Sequence, residues 1–425
     1  MIRKPKGTND ILPQDIYRWH YLENMIKEIS AMFGYREIRT PIFESTDLFI
    51  RGVGDGTDIV DKEMYSFVDR GGRSMSLRPE GTASVARAYL EHSMDKIQER
   101  QKVYYIGPMF RYEKPQAGRF RQHYQFGLEF FGESSPLADV EVISLAYTLY
   151  NKLGIKNISI NLNSVGCDKC RKEFSNALKK FLEINLDKLC EDCHRRYYKN
   201  PLRVFDCKNK NCKEILSEAP ITTNYLCDEC KNDFENVKHG LDMLGISYKV
   251  TPTLVRGLDY YTKTVFEVVS LTLGAQNAIG GGGRYNNLIE ELDGPDIPAV
   301  GFAAGMERII LSMDNEDINI PHCDDIELRI VPIGKKALEI CFRLAYDFRK
   351  LGVKTEMDYR NKSLKANLKL ANKNNEPFIL IVGDDELIEK KGKLKDMKEN
   401  KETLVSLDNL ENIIKIIRGE NAKKD

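Results

Sequence analysis

The chain has 425 residues, too many for one ordinary hydrophobic core, so two or three domains are expected. Hydrophobic residues make up 42% and charged residues 30%, a globular balance that excludes a disordered chain. Basic and acidic side chains cancel at 64 each, so any nucleic-acid-binding surface must be local.

The first residues, MIRKPKGTNDILPQD, contain no apolar run, which argues against a signal peptide. No apolar stretch approaches the roughly twenty residues that span a bilayer. A cytoplasmic location is therefore expected. Residues 14–33 predict an amphipathic helix, with Trp19, Leu22, Ile26, Ile29 and Phe33 at three- and four-residue steps. Pro13 suits its first turn and Gly34 the position past its end. The extended run Tyr35 to Phe43 is interrupted by Pro41, which places it at a sheet edge or a subunit boundary. Residues 102–131 predict two strands joined by a turn-rich loop at 113–118, and strand signals return at 156–163. Residues 166–240 are rich in Lys, Cys, Asp and Asn and read as a mainly helical insertion. Strand patterns resume at Thr264 to Val269, before four glycines at 280–283. A polar linker is expected over 312–325. From Ile326 strands and helices alternate, with helices at Lys335–Leu351 and 364–374, predicting a small α/β domain with a partly parallel sheet. Lys390 to Lys401 reads as a lysine-rich hairpin or loop.

Alternate side chains of a strand share a face. On the second strand of the hairpin, Tyr124, Phe126, Leu128 and Phe130 make an apolar face. His123, Gln125, Gly127, Glu129 and Phe131 make the other, with Gly127 leaving room beside two polar groups. On the first strand Arg111 and Glu113 share parity with Gly107. Three further stretches carry candidate ligands. RPEGT at 78–82 is a turn and helix start in which Glu80 and Thr82 offer acceptors to an ammonium group. VRGLDYYT at 255–262 presents Arg256 ahead of a strand, and AVGFAAGMER at 299–308 puts Arg308 near a helix N-terminus, which favours anions. Taken singly, each has a plainer reading: Glu80 as a helix N-terminal charge, the arginines as surface ion pairs, the glycines as a bulge. The combination carries the signal.

That combination resembles the class II aminoacyl-tRNA synthetases, and specifically the histidyl-tRNA synthetases. GYREIRTPIFE at 34–44 is similar to the first class II motif, FRYEKPQAGRFRQHYQFGLEFFG at 110–132 to the second, and AVGFAAGMERIIL at 299–311 to the third. LVRGLDYYTKTVFE at 254–267 and GGGRY at 281–285 are similar to stretches particular to the histidine enzymes. One departure is that Asn286 and Asn287 follow GGGRY where the family usually has an Asp. The resemblance implies an α+β catalytic domain on an antiparallel class II sheet (1–165 and 246–320), a cysteine-rich, mainly helical insertion (166–245) and a C-terminal α/β anticodon-binding domain (326–425).

It also implies chemistry in two steps. Histidine's carboxylate attacks the α-phosphate of ATP, giving histidyl-adenylate and pyrophosphate. The terminal ribose of tRNA(His) then takes the acyl group. Such a displacement at phosphorus depends on positioning and fixed positive charge, which arginine's planar fork supplies best. By resemblance, Arg111 and Arg256 are catalytic at the α-phosphate, Glu113 holds the adenine edge and Arg308 the γ-phosphate, with Mg2+ on the other phosphates. Glu80, Gly81 and Thr82 match the ammonium site, Gln125 lies near the carboxylate, and Glu129, Tyr260 and Tyr261 read the imidazole. A homodimer is implied by the first motif.

The insertion adds a signal of its own. Cys167-x2-Cys170, Cys190-x2-Cys193, Cys207-x4-Cys212 and Cys227-x2-Cys230 supply eight thiols, enough for two tetrahedral zinc sites. The spacing leaves open which knuckles pair and whether His194 substitutes for a cysteine. The resemblance implies that this metal is not needed for the chemistry, because the insertion of many family members lacks these cysteines. The lysines among the cysteines are candidates to touch the tRNA acceptor arm. Cys323 and Cys341 read as packing residues. Two rival readings stand beside this one. A synthetase-like regulatory subunit of ATP phosphoribosyltransferase would generally lack the C-terminal domain and have an eroded site. A non-catalytic zinc and RNA-binding protein would not exchange pyrophosphate into ATP.

Overall fold

A computed structural model describes the chain except for residues 55–56, 117, 275–276, 322–325, 361 and 420–425. The described residues form two compact units, Met1–Ile320 and Pro321–Asp425. The expectation for Cys323 lies outside the described residues.

The first unit is built on an eight-stranded sheet. Its chain begins with the helix Ile16–Met32, whose Trp19, Leu22, Ile26 and Ile29 are buried at the predicted spacing. Pro13 precedes the helix rather than opening it, and Gly34 leaves it at φ +80°, a conformation glycine adopts without strain. The strands follow as β1 (Arg36–Glu37), β2 (Phe43–Ser45), β3 (Tyr65–Val68), β4 (Ser74–Leu77), β5 (Gln101–Phe110), β6 (Gln122–Phe131), β7 (Ile158–Gly166), β8 (Tyr248–Val250), β9 (Thr262–Ser270), β10 (Ala278–Arg284) and β11 (Ala299–Gly305). The large sheet has the order β1-β5-β6-β11-β10-β9-β7-β8, while β2-β4-β3 form a small separate sheet. From β5 through β7 every neighbouring pair is antiparallel, and only the edge strands β1 and β8 pair in parallel. Pro41 falls between strands, and β1 is an edge, as a proline-interrupted segment requires.

Strand parity sorts the two faces. Phe126, Leu128 and Phe130 of β6 enter a core with Ile143 and Leu149 of the helix Pro136–Lys152 and with Leu22 and Ile26 of the first helix. Each fully buried aliphatic or aromatic side chain contributes about 1.5–3 kcal/mol relative to exposure. The opposite face is covered as well. Tyr105 and Phe131 pack there with Val85 and Tyr89 of the helix Thr82–Glu91, and with Tyr260, Tyr261 and Tyr285. The glycine run lies inside β10, with register shifts at both ends and Gly283 at φ +156°.

The linker expected over 312–325 begins later than predicted. The helix Met306–Asn315 runs through its first residues, because Met313 continues the buried stripe of Ile309 and Ile310. Residues 166–245 are mainly helical, with the helices Asp168–Asn185, Glu191–Lys199, Lys210–Leu216 and Asp228–Met243. The first three surround a small core of their own. The last sends Phe234, Val237 and Leu241 into the main core instead.

The second unit has the sheet order β13-β12-β14-β15-β16, from β12 (Leu328–Ile333), β13 (Thr355–Met357), β14 (Phe378–Gly383), β15 (Lys391–Asp396) and β16 (Lys401–Ser406). The first three strands are parallel, and the lysine-rich segment is the antiparallel β15–β16 hairpin. The helices Lys335–Lys350 and Leu410–Ile417 cover one face, and the helix Leu364–Lys373 the other. Cys341 is buried in that core, as a packing residue.

Candidate active site

The face of β6 opposite the main core forms the floor of a cleft of about 230 Å³. Glu80, Thr82, Arg111, Glu113, Gln125, Glu129, Arg256, Tyr260, Tyr261 and Arg308 all line it, although they come from five separate stretches of chain. Gly81 does not. A Cβ there would meet the Tyr105 ring at 2.3 Å, and one on Gly127 would meet the same ring at 2.2 Å. The room that Gly127 leaves is thus filled by Tyr105, not by an incoming group. Tyr105 shares parity with Gly107 and pairs directly with Gly127, so its ring lies on the same face and folds across the glycine.

Glu129 is the deepest polar group. It accepts from Thr82 Oγ1 at 2.8 Å and from Tyr285 Oη at 2.5 Å, and it passes over Gly301, where a Cβ would lie 1.9 Å from Oε2. Burial pushes its carboxyl up to about 8, against the opposing pull of these hydroxyls. Glu80 accepts the backbone N–H groups of Thr82 and Ala83 at 2.7 and 2.8 Å, so it does cap the helix Thr82–Glu91. Burial raises its carboxyl too. The helix-charge reading holds, and each carboxylate oxygen has acceptor capacity left for a further donor.

The arginines line the same cleft. Strand β5 stops at Phe110, so Arg111 lies one residue beyond it, though its N–H still donates to Arg121 O at 2.8 Å. The Arg111 side chain is anchored by Nε donating to Pro79 O at 2.8 Å. Glu113 is in the loop rather than on a strand and lies 3.5 Å from Arg119. The Arg256 guanidinium pairs with Glu267 at 2.8 Å and lies flat on Gly281, whose absent Cβ would sit 2.7 Å from it. Arg308 Nε donates to Ala278 O at 2.6 Å. Gln125 Oε1, in the same cleft, is buried with no hydrogen-bond partner among the described residues. His123, buried beside Arg111, is held neutral, its imidazole pushed down to about 3 by burial and then by that guanidinium.

Buried carboxylates and four arginines in one cleft suit a ligand with a cationic head and an anionic tail. The sequence reading missed Tyr105, Glu267 and Tyr285. Tyr285 is the last residue of GGGRY, and Glu267 shares strand β9 with the histidine-type stretch, so both lay inside motifs already singled out. Tyr105 carried no signal beyond strand parity.

Two clusters of thiols occupy the helical segment. Cys167 and Cys170 meet Cys227 and Cys230, and Cys190 and Cys193 meet Cys207 and Cys212, with all sulfurs of each group within 4.8 Å of one another. The nearest separations are 3.6 and 4.0 Å in the first group and 3.7 Å in the second. Four thiolates at about 2.3 Å from a tetrahedral ion would be about 3.8 Å apart. His194 belongs to neither group. The fold thus fixes the pairing that spacing left open.

The protein-family model for histidyl-tRNA synthetase matches residues 7–309, and that for an anticodon-binding domain matches 327–416. The histidine–tRNA ligase of Caldanaerobacter subterraneus subsp. tengcongensis is 52% identical over 93% of this chain and 95% of its own length. That of Halothermothrix orenii is 50% identical over the same shares. The crystal structure of apo histidyl-tRNA synthetase from S. aureus superposes with a TM-score of 0.83 at 40% identity, covering 97% of this chain and 99% of that one.

Proposed function

This chain belongs to the histidyl-tRNA synthetase family, and from that premise we propose how its residues divide the work. The chain is a histidine–tRNA ligase: it activates L-histidine with ATP to histidyl-adenylate and transfers the histidine to the 3′ end of tRNA(His). Enzymes of this class use ATP with Mg2+. The observation that carries the residue assignment is one cleft lined by the buried Glu80 and Glu129 together with Arg111, Arg256 and Arg308.

Histidine lies with its ammonium toward Glu80 and Thr82, beside Gly81, and its imidazole toward Glu129, Tyr260 and Tyr261. An imidazole N–H buried without an acceptor would cost about 1–3 kcal/mol, so Glu129 both binds histidine and rejects apolar analogues. Gln125, with its unpaired carbonyl oxygen, faces the carboxylate end of the substrate. Arg111 and Arg256 stabilise charge on the α-phosphate during in-line attack, Glu113 meets the adenine and Arg308 the γ-phosphate. Mg2+ supplies further charge on the remaining phosphates. The anchoring of Arg111 to Pro79 and of Arg256 to Glu267 supports this, because pre-aimed charges need no reorganisation at the transition state.

Three finer readings accompany this one. The two tetrathiolate groups hold structural zinc, supported by their sulfur separations. The chain works as a cytoplasmic homodimer, supported by Phe43 and Phe67, which pack edge to face yet stay half exposed beside the exposed Val68. Among the described residues no helix is long and apolar enough to cross a membrane. The catalytic part comprises 1–165 and 246–320, with 166–245 inserted and 326–425 reading the anticodon. The regulatory-subunit reading gains nothing from the structure, since the second unit is present and the nominated histidine and ATP residues other than Gly81 line one cleft.

Arg256→Ala tests the assignment. Histidine-dependent exchange of labelled pyrophosphate into ATP should fall by about 100- to 1,000-fold, as for loss of one transition-state donor. Histidine binding should change little. Exchange at the wild-type rate would remove Arg256 from the α-phosphate.

A further inference from the structure

The loop at 251–261 carries Arg256, Tyr260 and Tyr261, yet it has no regular secondary structure before β9 begins at Thr262. Its carbonyls therefore need partners from outside. Six of them are taken two at a time by one side chain each, and Pro252 O also accepts from Thr222 Oγ1 at 3.3 Å. Asn163 of β7 donates to Pro252 O and Leu254 O at 3.1 and 3.0 Å. Arg203 donates to Arg256 O and Gly257 O at 2.8 and 3.2 Å. Arg171 donates to Asp259 O and Tyr261 O at 3.2 and 3.3 Å. The Asn200 amide adds contacts of 3.0 Å to both Asp259 carboxylate oxygens.

Arg203, Arg171 and Asn200 all belong to the helical insertion, and both arginines are neighbours of thiol groups. Arg171 directly follows Cys170, and Arg203 is four residues before Cys207 in the short turn Pro201–Asp206. The segment carrying Arg203 is made of pieces too short to persist alone: a nine-residue helix, that turn, and a seven-residue helix. Isolated helices below about 12–15 residues are marginal in water. Cys193, Cys207 and Cys212 make up much of the small core that these pieces share. A metal-filled tetrathiolate would supply the missing folding energy.

We propose that the two tetrathiolate centres act through Arg171 and Arg203 to hold the 251–261 loop and so position Arg256 for adenylate formation. Arg171 and Arg203 are positioning residues, and the metal supports a reaction that it never touches. This inference rests on the reading of Arg256 as a group at the α-phosphate. It adds a metal dependence to the first step of a reaction that does not itself require that metal.

The test uses the full chain purified without chelators. Elemental analysis should find two zinc ions per chain, and one after Cys207→Ser with Cys212→Ser. That double variant should lower the kcat of histidine-dependent pyrophosphate exchange by about 10- to 100-fold, the cost of a misplaced reacting group. Arg203→Ala should give the same loss while keeping two zinc ions, and Arg203→Lys, which cannot reach both carbonyls with a fork, should fall between. In an Arg256→Ala background, Arg203→Ala should add little, because both changes disable one group. Trypsin should cut after Arg256 faster in Arg203→Ala and in the cysteine variant than in wild type, a readout independent of activity. Wild-type kcat in Arg203→Ala, multiplicative losses in the Arg203/Arg256 pair, or no zinc in the wild type would overturn the inference. Absence of exchange in the zinc-loaded wild type would instead overturn the reading of the site, with the trypsin comparison still deciding whether the loop is held.

Discussion

At Glu129, burial opposes ionisation while the role proposed for it, accepting from the imidazole, needs a free lone pair. Its carboxyl is pushed up to about 8 in the empty site, from an ordinary value of 4.5. Between those values the folded chain binds more protons than the unfolded one, so this group's contribution to stability falls as pH rises from about 4.5 to about 8, and is constant above. Glu129→Gln removes that slope. The variant should therefore gain melting temperature relative to wild type as pH is raised from 5 to 8, measured without ligand. The same variant should lose about 10- to 100-fold in histidine kcat/KM, the range for a hydrogen bond to a charged group. A parallel pH dependence of stability in both proteins would refute the buried-acid account. Glu129 was legible from sequence by strand parity and by resemblance. Its protonation was not, because that depends on Tyr105, Tyr260 and Tyr285 closing over it from other elements.

The glycine strand β10 shows what an element contributes beyond its hydrogen bonds. At Gly281 a Cβ would meet the end of the Arg256 side chain at 2.7 Å, whereas at Gly282 it would meet the backbone oxygen of Gly301 at 2.0 Å. A flexible guanidinium can move aside and a strand backbone cannot. Gly281→Ala should thus leave the melting temperature nearly unchanged and lower pyrophosphate exchange by about tenfold or more through a displaced Arg256. Gly282→Ala should destabilise the fold by about 1–3 kcal/mol, as overpacking does, seen as a lower denaturation midpoint. Equal stability losses in the two variants would contradict this division. The sequence showed a run of glycines and offered a bulge as the plain explanation. The register shifts at its ends bear that out, but the reason for Gly281 lies in a contact with a residue 25 positions away, which no local pattern encodes. The cysteines behave likewise. Two- and four-residue spacers identified the knuckles, and only the packing of the helices Asp168–Asn185 and Asp228–Met243 brought the first and last together.

Across the whole molecule, each of the two units closes on cores of its own. Every residue assigned to histidine or ATP lies in Met1–Ile320, which has its own cores on both faces of its sheet. The second unit closes its own two-sided core around a buried Arg329–Glu376 pair, with contacts of 2.5 and 2.6 Å. Removing one partner of such a pair costs several kcal/mol, so the unit is internally determined. The chain's net charge is zero, so attraction to a polyanion must come from local patches and be weakened by salt. The charges proposed to meet histidine and ATP lie inside a cleft, where salt screens less. Raising salt should therefore increase the KM for tRNA in the charging reaction much more than it changes histidine-dependent pyrophosphate exchange. A chain ending at Ile320 should keep that exchange, because adenylate formation uses none of the removed residues, but should charge tRNA(His) poorly for want of anticodon contacts. A shortened chain that folds, by circular dichroism, yet loses exchange would show that the second unit is needed for the first chemical step.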